Sequence, residues 1–324
     1  MAIVKWFGEK WAGAGRAAPA ALVAVAFVLA PVVASAEGLL DLLSKNRKVE
    51  HVAKGGVFLE GPVFDREGNL WVVEVLGGYL SRVEGDKVVR VVQAAPGSQP
   101  QGAALHKDGR IFVTDRKLGV WSYDPTTKKV EIVVRSFQDK EFRGPNDLTF
   151  DNDGNLWFTD AWGTGSDDRS GAVYSVQAAG GYKKITKVIG DLAMPNGIQF
   201  SADGGALYFT ELRMNRNWRC PVDKSTGGLL SCYVSTYFFS GNGPDGMKLD
   251  EKGNLYQAHF LSQGIYVINP FNEIVEFIRV PSGRFTTNLA FKPGTRWIYI
   301  TEAQENNVWR VEVDAPGLTL WGLR

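Results

Sequence analysis

Six polar residues that could ligate a metal recur along this chain at intervals of 41 to 50 residues. They open the pairs Glu60-Gly61, Gln101-Gly102, Asn146-Asp147, Asn196-Gly197, Asp245-Gly246 and Asn288-Leu289. The six residues offer carboxylate and amide oxygens but no imidazole or thiolate, and such hard ligands favour Ca²⁺, Mg²⁺ or Mn²⁺ over softer metals. A divalent cation held there could polarise a carbonyl or phosphoryl oxygen and lower the pKa of a bound water. The repeat therefore predicts a metal centre suited to hydrolytic chemistry.

The residues after each opening pair have the pattern of a β-hairpin. A hydrophobic strand leads to a turn, of which Asp153-Gly154 and Asp203-Gly204 are the clearest, and a second strand follows. That second strand carries an aromatic residue eleven or twelve positions after each opening residue: Trp71, Phe112, Trp157, Tyr208, Tyr256 and Tyr299. Repeats of this length with several strands each are typical of β-propellers. We therefore expect an all-β fold with six blades and a metal site at one mouth of the central channel.

Each opening pair could instead be an ordinary turn, because Asn-Gly and Asp-Gly are common turn formers. Their recurrence in register, with a separate turn seven or eight residues later, favours a ligand role. A hairpin also brings the end of its second strand back to the opening residue. Residues at those ends are Glu74, Asp115, Asp160, Glu211, His259 and Glu302. They would form a layer behind the ligands or bind exposed backbone N–H groups, whereas the aromatics would pack between blades.

Composition limits the possible partners. Hydrophobic residues make up 44% of the chain, charged residues 22%, and the net charge is +1, all in the range of a soluble globular protein. The chain has no run of Lys and Arg of the kind that binds phosphate backbones. We expect a small-molecule partner, and neither nucleic acid nor an acidic membrane surface.

The first 36 residues have the pattern of a secretory signal peptide. Lys5, Lys10 and Arg16 precede an apolar stretch at residues 17–33, and a small-x-small triplet at residues 34–36 ends just before Glu37. An uncleaved anchor is the alternative, since 17 apolar residues approach a spanning length. We predict cleavage, no stable membrane insertion afterwards, and a single periplasmic or secreted propeller domain at residues 37–324.

Two further features concern how the domain is closed. Cys220 and Cys232 flank a segment that reads as an outer hairpin, where they would form either a disulfide or two buried thiols. Residues 48–53 (KVEHVA) read as a strand. The last repeat supplies only three strands of its own, so we expect this N-terminal strand to complete it and remove an exposed edge.

Four of the opening motifs resemble those of the senescence marker protein/gluconolactonase family. These are Glu60-Gly61-Pro62, Pro145-Asn146-Asp147, Pro195-Asn196-Gly197 and Pro244-Asp245-Gly246. The resemblance spans about residues 56–312, and residues 147–174 are especially similar to the drug-responsive lactonases of that family. The order Glu, Asn, Asn, Asp on four separate repeats makes the resemblance specific.

The resemblance implies a six-bladed propeller with one divalent cation ligated by Glu60, Asn146, Asn196 and Asp245. Ca²⁺ is the first expectation, with Mg²⁺, Mn²⁺ and Zn²⁺ as alternatives. Asp245 would be the catalytic residue, as general base or, in the phosphatase branch, as nucleophile. Arg143 lies where members often place a substrate-contacting basic residue, although it also fits a solvated loop arginine.

Two residues depart from the commoner aldonolactonase pattern. Trp162 follows Asp160 in Ala-Trp-Gly-Thr-Gly and would put a broad apolar wall beside substrate at the mouth. His259 stands where relatives have a small or apolar residue; it would contact substrate or shuttle protons, or else be a hydrogen-bonded structural residue. Both departures favour a lactone or ester that is more apolar than a sugar lactone.

The sequence thus predicts an exported, divalent-metal-dependent hydrolase that opens a lactone by attack of a metal-polarised water. Two alternatives stay open. The same site could hydrolyse organophosphates or other esters, or the propeller could be a non-catalytic binding platform with a structural ion, since one fold hosts many functions.

Overall fold

The computed structural model describes residues 36–324, which form 26 β-strands, one short α-helix and two 3₁₀ turns. The helix α1 is Ala36–Leu43, and β1 is Val49–Lys54. The first strands of the successive repeats are β2 (Leu59–Phe64), β6 (Pro100–Leu105), β12 (Pro145–Phe150), β16 (Pro195–Phe200), β20 (Gly243–Leu249) and β24 (Thr286–Phe291). Their hairpin partners are β3 (Leu70–Glu74), β7 (Ile111–Asp115), β13 (Leu156–Asp160), β17 (Ala206–Glu211), β21 (Leu255–Phe260) and β25 (Trp297–Glu302).

Third and fourth strands complete the sheets. The third strands are β4 (Tyr79–Glu84), β8 (Gly119–Tyr123), β14 (Gly171–Val176), β18 (Arg216–Pro221), β22 (Gly264–Ile268) and β26 (Asn307–Glu312). The fourth strands are β5 (Lys87–Val92), β9 (Val130–Val134), β15 (Ile185–Leu192), β19 (Tyr233–Tyr237) and β23 (Ile274–Arg279). A two-stranded hairpin of β10 (Ser136–Phe137) and β11 (Lys140–Glu141) stands apart, and the 3₁₀ turns are Leu212–Met214 and Trp321–Leu323.

The strands form an all-β, propeller-like fold. Four separate four-stranded sheets are β6–β9, β12–β15, β16–β19 and β20–β23, and an eight-stranded sheet has the order β2-β3-β4-β5-β1-β26-β25-β24. Each first strand contacts the first strand of the next repeat, and β24 contacts β2, so these strands enclose a channel. The six separate blades predicted from the repeat are therefore found as four separate sheets and one joined sheet. The two halves of the joined sheet meet through one parallel pair, Lys54 with Lys87.

The predicted N-terminal strand is confirmed. β1 pairs antiparallel with β26 from Val49–Val311 to Lys54–Asn307, with one bulge after His51. The side chain of Ala53 is fully buried in an apolar cluster with residues of the first and last repeats. The first and last strands of the described residues thus pair with each other.

Aromatic residues on the second strands pack between sheets, as predicted. Phe112, for example, lies edge-to-face against Phe150 of the next repeat. In three repeats a turn carboxylate also bonds the aromatic, as Asp65 does Trp71 and Asp250 does Tyr256. The Asp151 carboxylate accepts hydrogen bonds from the Asn155 backbone (2.9 Å) and from Trp157 Nε1 (3.0 Å). The Asp-x-x-Gly-Asn-x-aromatic pattern therefore fixes both the turn and the ring behind it.

Cys220 and Cys232 form a disulfide, which resolves the two alternatives left by the sequence. It joins β18 to the segment that leads into β19. The predicted signal peptide lies outside the described residues except for Ala36, the first residue of α1. None of the helices in the described part of the chain is long and apolar enough to cross a membrane.

The C-terminal segment covers the far ends of the first strands. Leu318 N donates to Leu249 O (3.0 Å), and the Trp321 ring lies against Phe150 and His106. A largely apolar cavity of about 400 Å³ lies between this segment and the strand ends, with buried Lys248 in its wall. The opening residues stand at the opposite ends of the same strands.

Candidate functional site

Each opening residue lies at an irregularity of its strand. The register of pairing shifts beside all six, for example between Pro145 and Leu148 and between Pro244 and Met247. A bulge rotates a side chain away from the regular alternation of a strand. All six opening residues are buried, within strands rather than at turns. The turn interpretation of the opening pairs is therefore wrong.

Glycine follows four of the six opening residues because a neighbouring strand comes too close for a side chain. A Cβ on Gly61 would come within 2.7 Å of Gln101 O on the neighbouring strand, and a Cβ on Gly102 within 2.7 Å of Asn146 O. A Cβ on Gly246 would overlap the Asn288 side chain. Glycine at these positions lets the opening residues approach one another around the channel.

The six opening pairs form a ring around the channel, and three buried carboxylates in it, Glu60, Asp147 and Asp245, lie close enough to interact. Burial is the main reason that the pKa of Glu60 is raised, and the charge of Asp147 raises it further. The pKa of Asp245 is raised well above its ordinary value by burial and then by Glu60 and Asp147. The neighbouring Asn196 side chain and the Arg116 guanidinium act in the opposite direction. Burial and mutual repulsion thus disfavour the ionised forms of these carboxyl groups, and a cation among them would favour ionisation.

Asn288 links two of these carboxylates. Its Nδ2 donates to Glu60 Oε2 at 3.0 Å and lies 3.5 Å from Asp147 Oδ2. Its Oδ1 accepts from Leu289 N at 2.9 Å, so both polar atoms of its amide are hydrogen-bonded to the protein. Gln101 is likewise held by its own strand, with Nε2 donating to Pro100 O at 3.1 Å. These two opening residues orient the ring.

Two oxygens of the predicted ligand set have no protein partner. Asn196 Oδ1 and Asp245 Oδ1 are buried and accept no hydrogen bond from the described residues. Buried polar atoms are nearly always satisfied in folded proteins, so this pair fits the ligands of a hard cation. Within residues 36–324 no three His, Cys, Asp or Glu side chains are grouped to hold a metal by themselves. The predicted set of Glu60, Asn146, Asn196 and Asp245 is half amide.

The carboxylates that end the second strands do not support the ligands directly. Asp160 accepts from Arg143 N (3.1 Å) and Gly144 N (2.7 Å), so it orders a loop at the mouth. The threonine before it performs the role expected of the carboxylate: Thr159 Oγ1 donates to Asn196 O at 2.7 Å and accepts from Asp147 N at 3.1 Å. Thr114, Thr210 and Thr301 make similar bonds to opening residues. The recurring Thr-Asp/Glu pair was the sequence signal for this layer.

The residues predicted to bind substrate have different places in the structure. Trp162 is 47% exposed at the mouth. Arg143 lies nearby but is paired with Asp168 at 2.8 Å, and its Nε contacts Trp162 O at 3.4 Å. His259 has no exposed surface, and both ring nitrogens are hydrogen-bonded, Nε2 to Asn215 and Nδ1 to Ser262. Its surroundings match the structural alternative, because a substrate cannot reach the ring in this arrangement.

Arg116 is a mouth residue that the sequence reasoning missed. It follows Asp115 at the end of β7, and its guanidinium stacks on Trp162 at 3.4 Å from the ring centre. A signal was present, because the residue after the second-strand end is apolar in the other five repeats: Val75, Ala161, Leu212, Phe260 and Ala303. Arg116 is the charged exception.

Comparison with known proteins agrees with the resemblance. The sequence pattern of the SMP-30/Gluconolactonase/LRE-like region matches residues 58–318. The protein named Lactonase drp35 from Staphylococcus saprophyticus subsp. saprophyticus is 32% identical over 262 residues, covering 77% of this chain and 79% of that protein.

Solved structures share the fold. A gluconolactonase from Xanthomonas campestris superposes with a TM-score of 0.71 at 20% identity, over 85% of this chain and 92% of that one. A calcium-binding protein, regucalcin, from Agrobacterium tumefaciens str. C58 gives 0.69 at 22% identity, over 83% and 95%. With the family pattern covering most of the described residues, this chain belongs to the SMP-30/gluconolactonase family.

Proposed function

We propose that this protein is a divalent-metal-dependent lactonase whose metal centre is the ring of opening residues. The carrying observation is that Asn196 Oδ1 and Asp245 Oδ1 are buried without a hydrogen-bond partner, among carboxylates whose pKa values are raised. Lactonase- or gluconolactonase-type activity is supported by the family and by the drp35 lactonases. Metal dependence is our addition to that activity.

Glu60, Asn146, Asn196 and Asp245 would hold the cation, and Ca²⁺ is the first to test because the Agrobacterium protein of the same fold is calcium-binding. When bound, the cation would supply Lewis-acid activation of the lactone carbonyl and of water. Asp245 would also be the general base that accepts the proton of the attacking water. Trp162 would contact the apolar part of the substrate at the mouth.

The rigidity of the site comes from strand pairing. Thr159 and Thr114 bond the second residue of one opening pair to the backbone of the opening residue in the next repeat, so the ligands move little relative to one another. Preorganised groups of this kind need no rearrangement as charge develops during reaction. We count the eight-stranded sheet as two blades joined through Lys54 and Lys87, which gives six blades around the channel.

We also propose that the protein is exported. The sequence of residues 1–36 has signal-peptide character. The Cys220–Cys232 disulfide supports this, because disulfides persist mainly in oxidising compartments. A periplasmic or secreted location would be tested by fractionating cells that express the full chain and sequencing the mature N-terminus. A mature protein that starts at Met1 in the cytoplasm would overturn the proposal.

Asp245→Asn is the first test of the metal site. In chelated protein this change should raise the melting temperature or leave it unchanged, because it removes a repelling carboxylate from a buried cluster. Ca²⁺ should raise the melting temperature of the wild type but not of the variant. Hydrolysis of dihydrocoumarin, aldonolactones and aliphatic lactones should fall by about 100-fold or more, the usual range for loss of a general base.

The matched control is Asp168→Asn, which removes a carboxylate at the same mouth that is 46% exposed and outside the ring. It should keep the metal response and most of the activity. Near wild-type turnover by Asp245→Asn would disprove the assignment. If no lactone, ester or phosphotriester were hydrolysed while Ca²⁺ still raised the melting temperature, the structural-ion alternative would replace it.

A further inference from the structure

Arg116 presents a cation at the candidate active site without a protein anion to pair with. Its side chain makes no hydrogen bond or ion pair with any residue in the described part of the chain, and its guanidinium stacks on Trp162. Other arginines on this side of the molecule are committed: Arg143 pairs with Asp168, Arg169 with Glu211, and Arg213 donates to Asn242 at 3.0 Å. Arg116 differs from them because its guanidinium is stacked on an aromatic ring but has no anionic or hydrogen-bonding partner within residues 36–324.

The position of Arg116 is built by its neighbours. Gly144 leaves room for the stack, because a Cβ there would lie 2.5 Å from the Trp162 Cβ and 3.3 Å from the Arg116 Cγ. The Arg116 backbone N–H donates to Gln99 O at 3.1 Å, which fixes the start of the side chain. Stacking on an indole leaves the edge of a guanidinium free for bidentate contact with a carboxylate.

The electrostatic setting favours an anion from outside the protein. Partial burial lowers the pKa of Arg116 to about 10, with Glu60 and Asp245 acting against that shift, so the group stays charged at neutral pH. A small cavity of about 200 Å³ beside it is lined by Arg116, Lys117, Arg135 and Arg143, with Glu141 as the acidic residue. With four cationic side chains against one carboxylate, this side of the mouth favours an anionic substituent beside Arg116.

We propose that Arg116 binds a carboxylate of the substrate, so that the preferred substrates are lactones carrying a second, acidic group. The inference rests on the proposed lactonase activity. The guanidinium would hold the substituent while the lactone ring reaches Asp245, and Trp162 would hold the guanidinium in place. This assigns substrate selection to a residue outside the metal ligands.

The test compares one lactone in two charge states. The wild type should hydrolyse 5-oxotetrahydrofuran-2-carboxylate with a kcat/KM roughly 10- to 100-fold above that for its methyl ester, as expected for a charge-assisted bidentate contact. Arg116→Gln should abolish this preference by raising KM for the acid, with little change in kcat and little change for the ester. Arg213→Gln removes an arginine beside another strand end and should change neither substrate.

A binding measurement separates this inference from the proposed activity. Tetrahydrofuran-2-carboxylate lacks the scissile ester, so calorimetric titration of chelated protein reports binding without turnover. It should bind the wild type at least 10-fold more tightly than Arg116→Gln. This difference in binding is expected even if no lactone proves to be a substrate. Absence of hydrolysis would overturn only the lactonase proposal.

Three results would overturn the role of Arg116. The acid and its ester could be hydrolysed equally well by the wild type. Arg116→Gln could weaken both substrates by the same factor, as a general structural role would. Finally, 4-hydroxybutanoate, the product of a neutral lactone, could depend on Arg116 as strongly as tetrahydrofuran-2-carboxylate does, which would show that the guanidinium receives the carboxylate formed by hydrolysis.

Discussion

At the scale of single residues, His259 shows how burial sets the properties of a group near the site. Burial lowers its pKa from 6.5 to about 3, so the folded protein keeps the ring neutral. The unfolded chain takes up a proton below about pH 6.5. Because the unfolded state then binds more protons, this residue's contribution to stability decreases as the pH falls from 6.5 toward 3.

We predict that His259→Gln removes this dependence. The stability advantage of the wild type over the variant should shrink by roughly 2 kcal/mol between pH 7 and pH 5, at about 1.4 kcal/mol per pH unit below 6.5. Urea unfolding at a series of pH values measures it. Buried carboxylates contribute equally to the pH dependence of both proteins, so their effect cancels when the two free energies of unfolding are subtracted. Parallel curves for the two proteins would contradict the shifted pKa.

Sequence predicted the residue types of the site better than their roles. Glu60 and Asp245 were selected by register, and the structure buries both in one ring. The contacts of Asn288 could not be foreseen, because they depend on how closely Gly246 lets the neighbouring strand approach. Arg116 was not predicted because the site residues were chosen from features that all repeats share. Arg116 stands out only as the charged residue at a position that is apolar in the other five repeats.

At the scale of elements, the threonines of the second strands connect one repeat to the next. Thr159 lies on β13, yet its hydroxyl bonds the backbone of Asn196 on β16 and of Asp147 on β12. Each such bond is buried, and loss of a partner leaves a backbone group without compensation. The strand-end carboxylates serve the loops at the mouth instead.

Thr159→Val tests this connection. The change keeps the side-chain shape but leaves Asp147 N–H and Asn196 O unpaired, so the free energy of unfolding should fall by about 1–3 kcal/mol. Chelated protein and denaturant unfolding give the cleanest measurement. Thr186→Val, an exposed position on β15, is the control and should change stability by less than about 0.5 kcal/mol. Equal effects at the two positions would contradict the role of Thr159.

Strands and turns were predictable because their signals are local. The Asp151 turn and Trp157 ring belong to a single hairpin, and their hydrogen bonds span only a few residues. The bulges beside the opening residues were not predicted. They arise where six strands converge on one channel, a condition that no single repeat contains.

At the scale of the whole molecule, β1 completes the last repeat by pairing with β26. Lys45 and Arg47 before it bind the buried carboxylate of Glu276, which anchors the segment on the neighbouring sheet. Without β1, the strand β26 would be an open edge and the cluster around Ala53 would lose its cover. The predicted strand could be recognised early because the last repeat lacked a fourth strand.

We predict that a chain beginning at Gly55 does not fold cooperatively, whereas a chain beginning at Lys45 does. Loss of β1 should lower the free energy of unfolding by roughly 5 kcal/mol or more, which is most of the stability of a typical domain. Thermal unfolding monitored by circular dichroism distinguishes the two. A synthetic peptide of residues 45–56 should restore the transition in the shorter chain. A sharp transition for that chain without peptide would contradict the prediction.

Pairing of β1 with β26 also sets an order in time. A ribosome makes β1 about 250 residues before β26, so the early strand waits roughly ten to fifty seconds for its partner at usual synthesis rates. A chain that stops before Asn307 would contain the candidate metal ligands Glu60, Asn146, Asn196 and Asp245 and still leave β1 unpaired. Premature termination just before Asn307 should therefore be as damaging as loss of the metal ligands themselves.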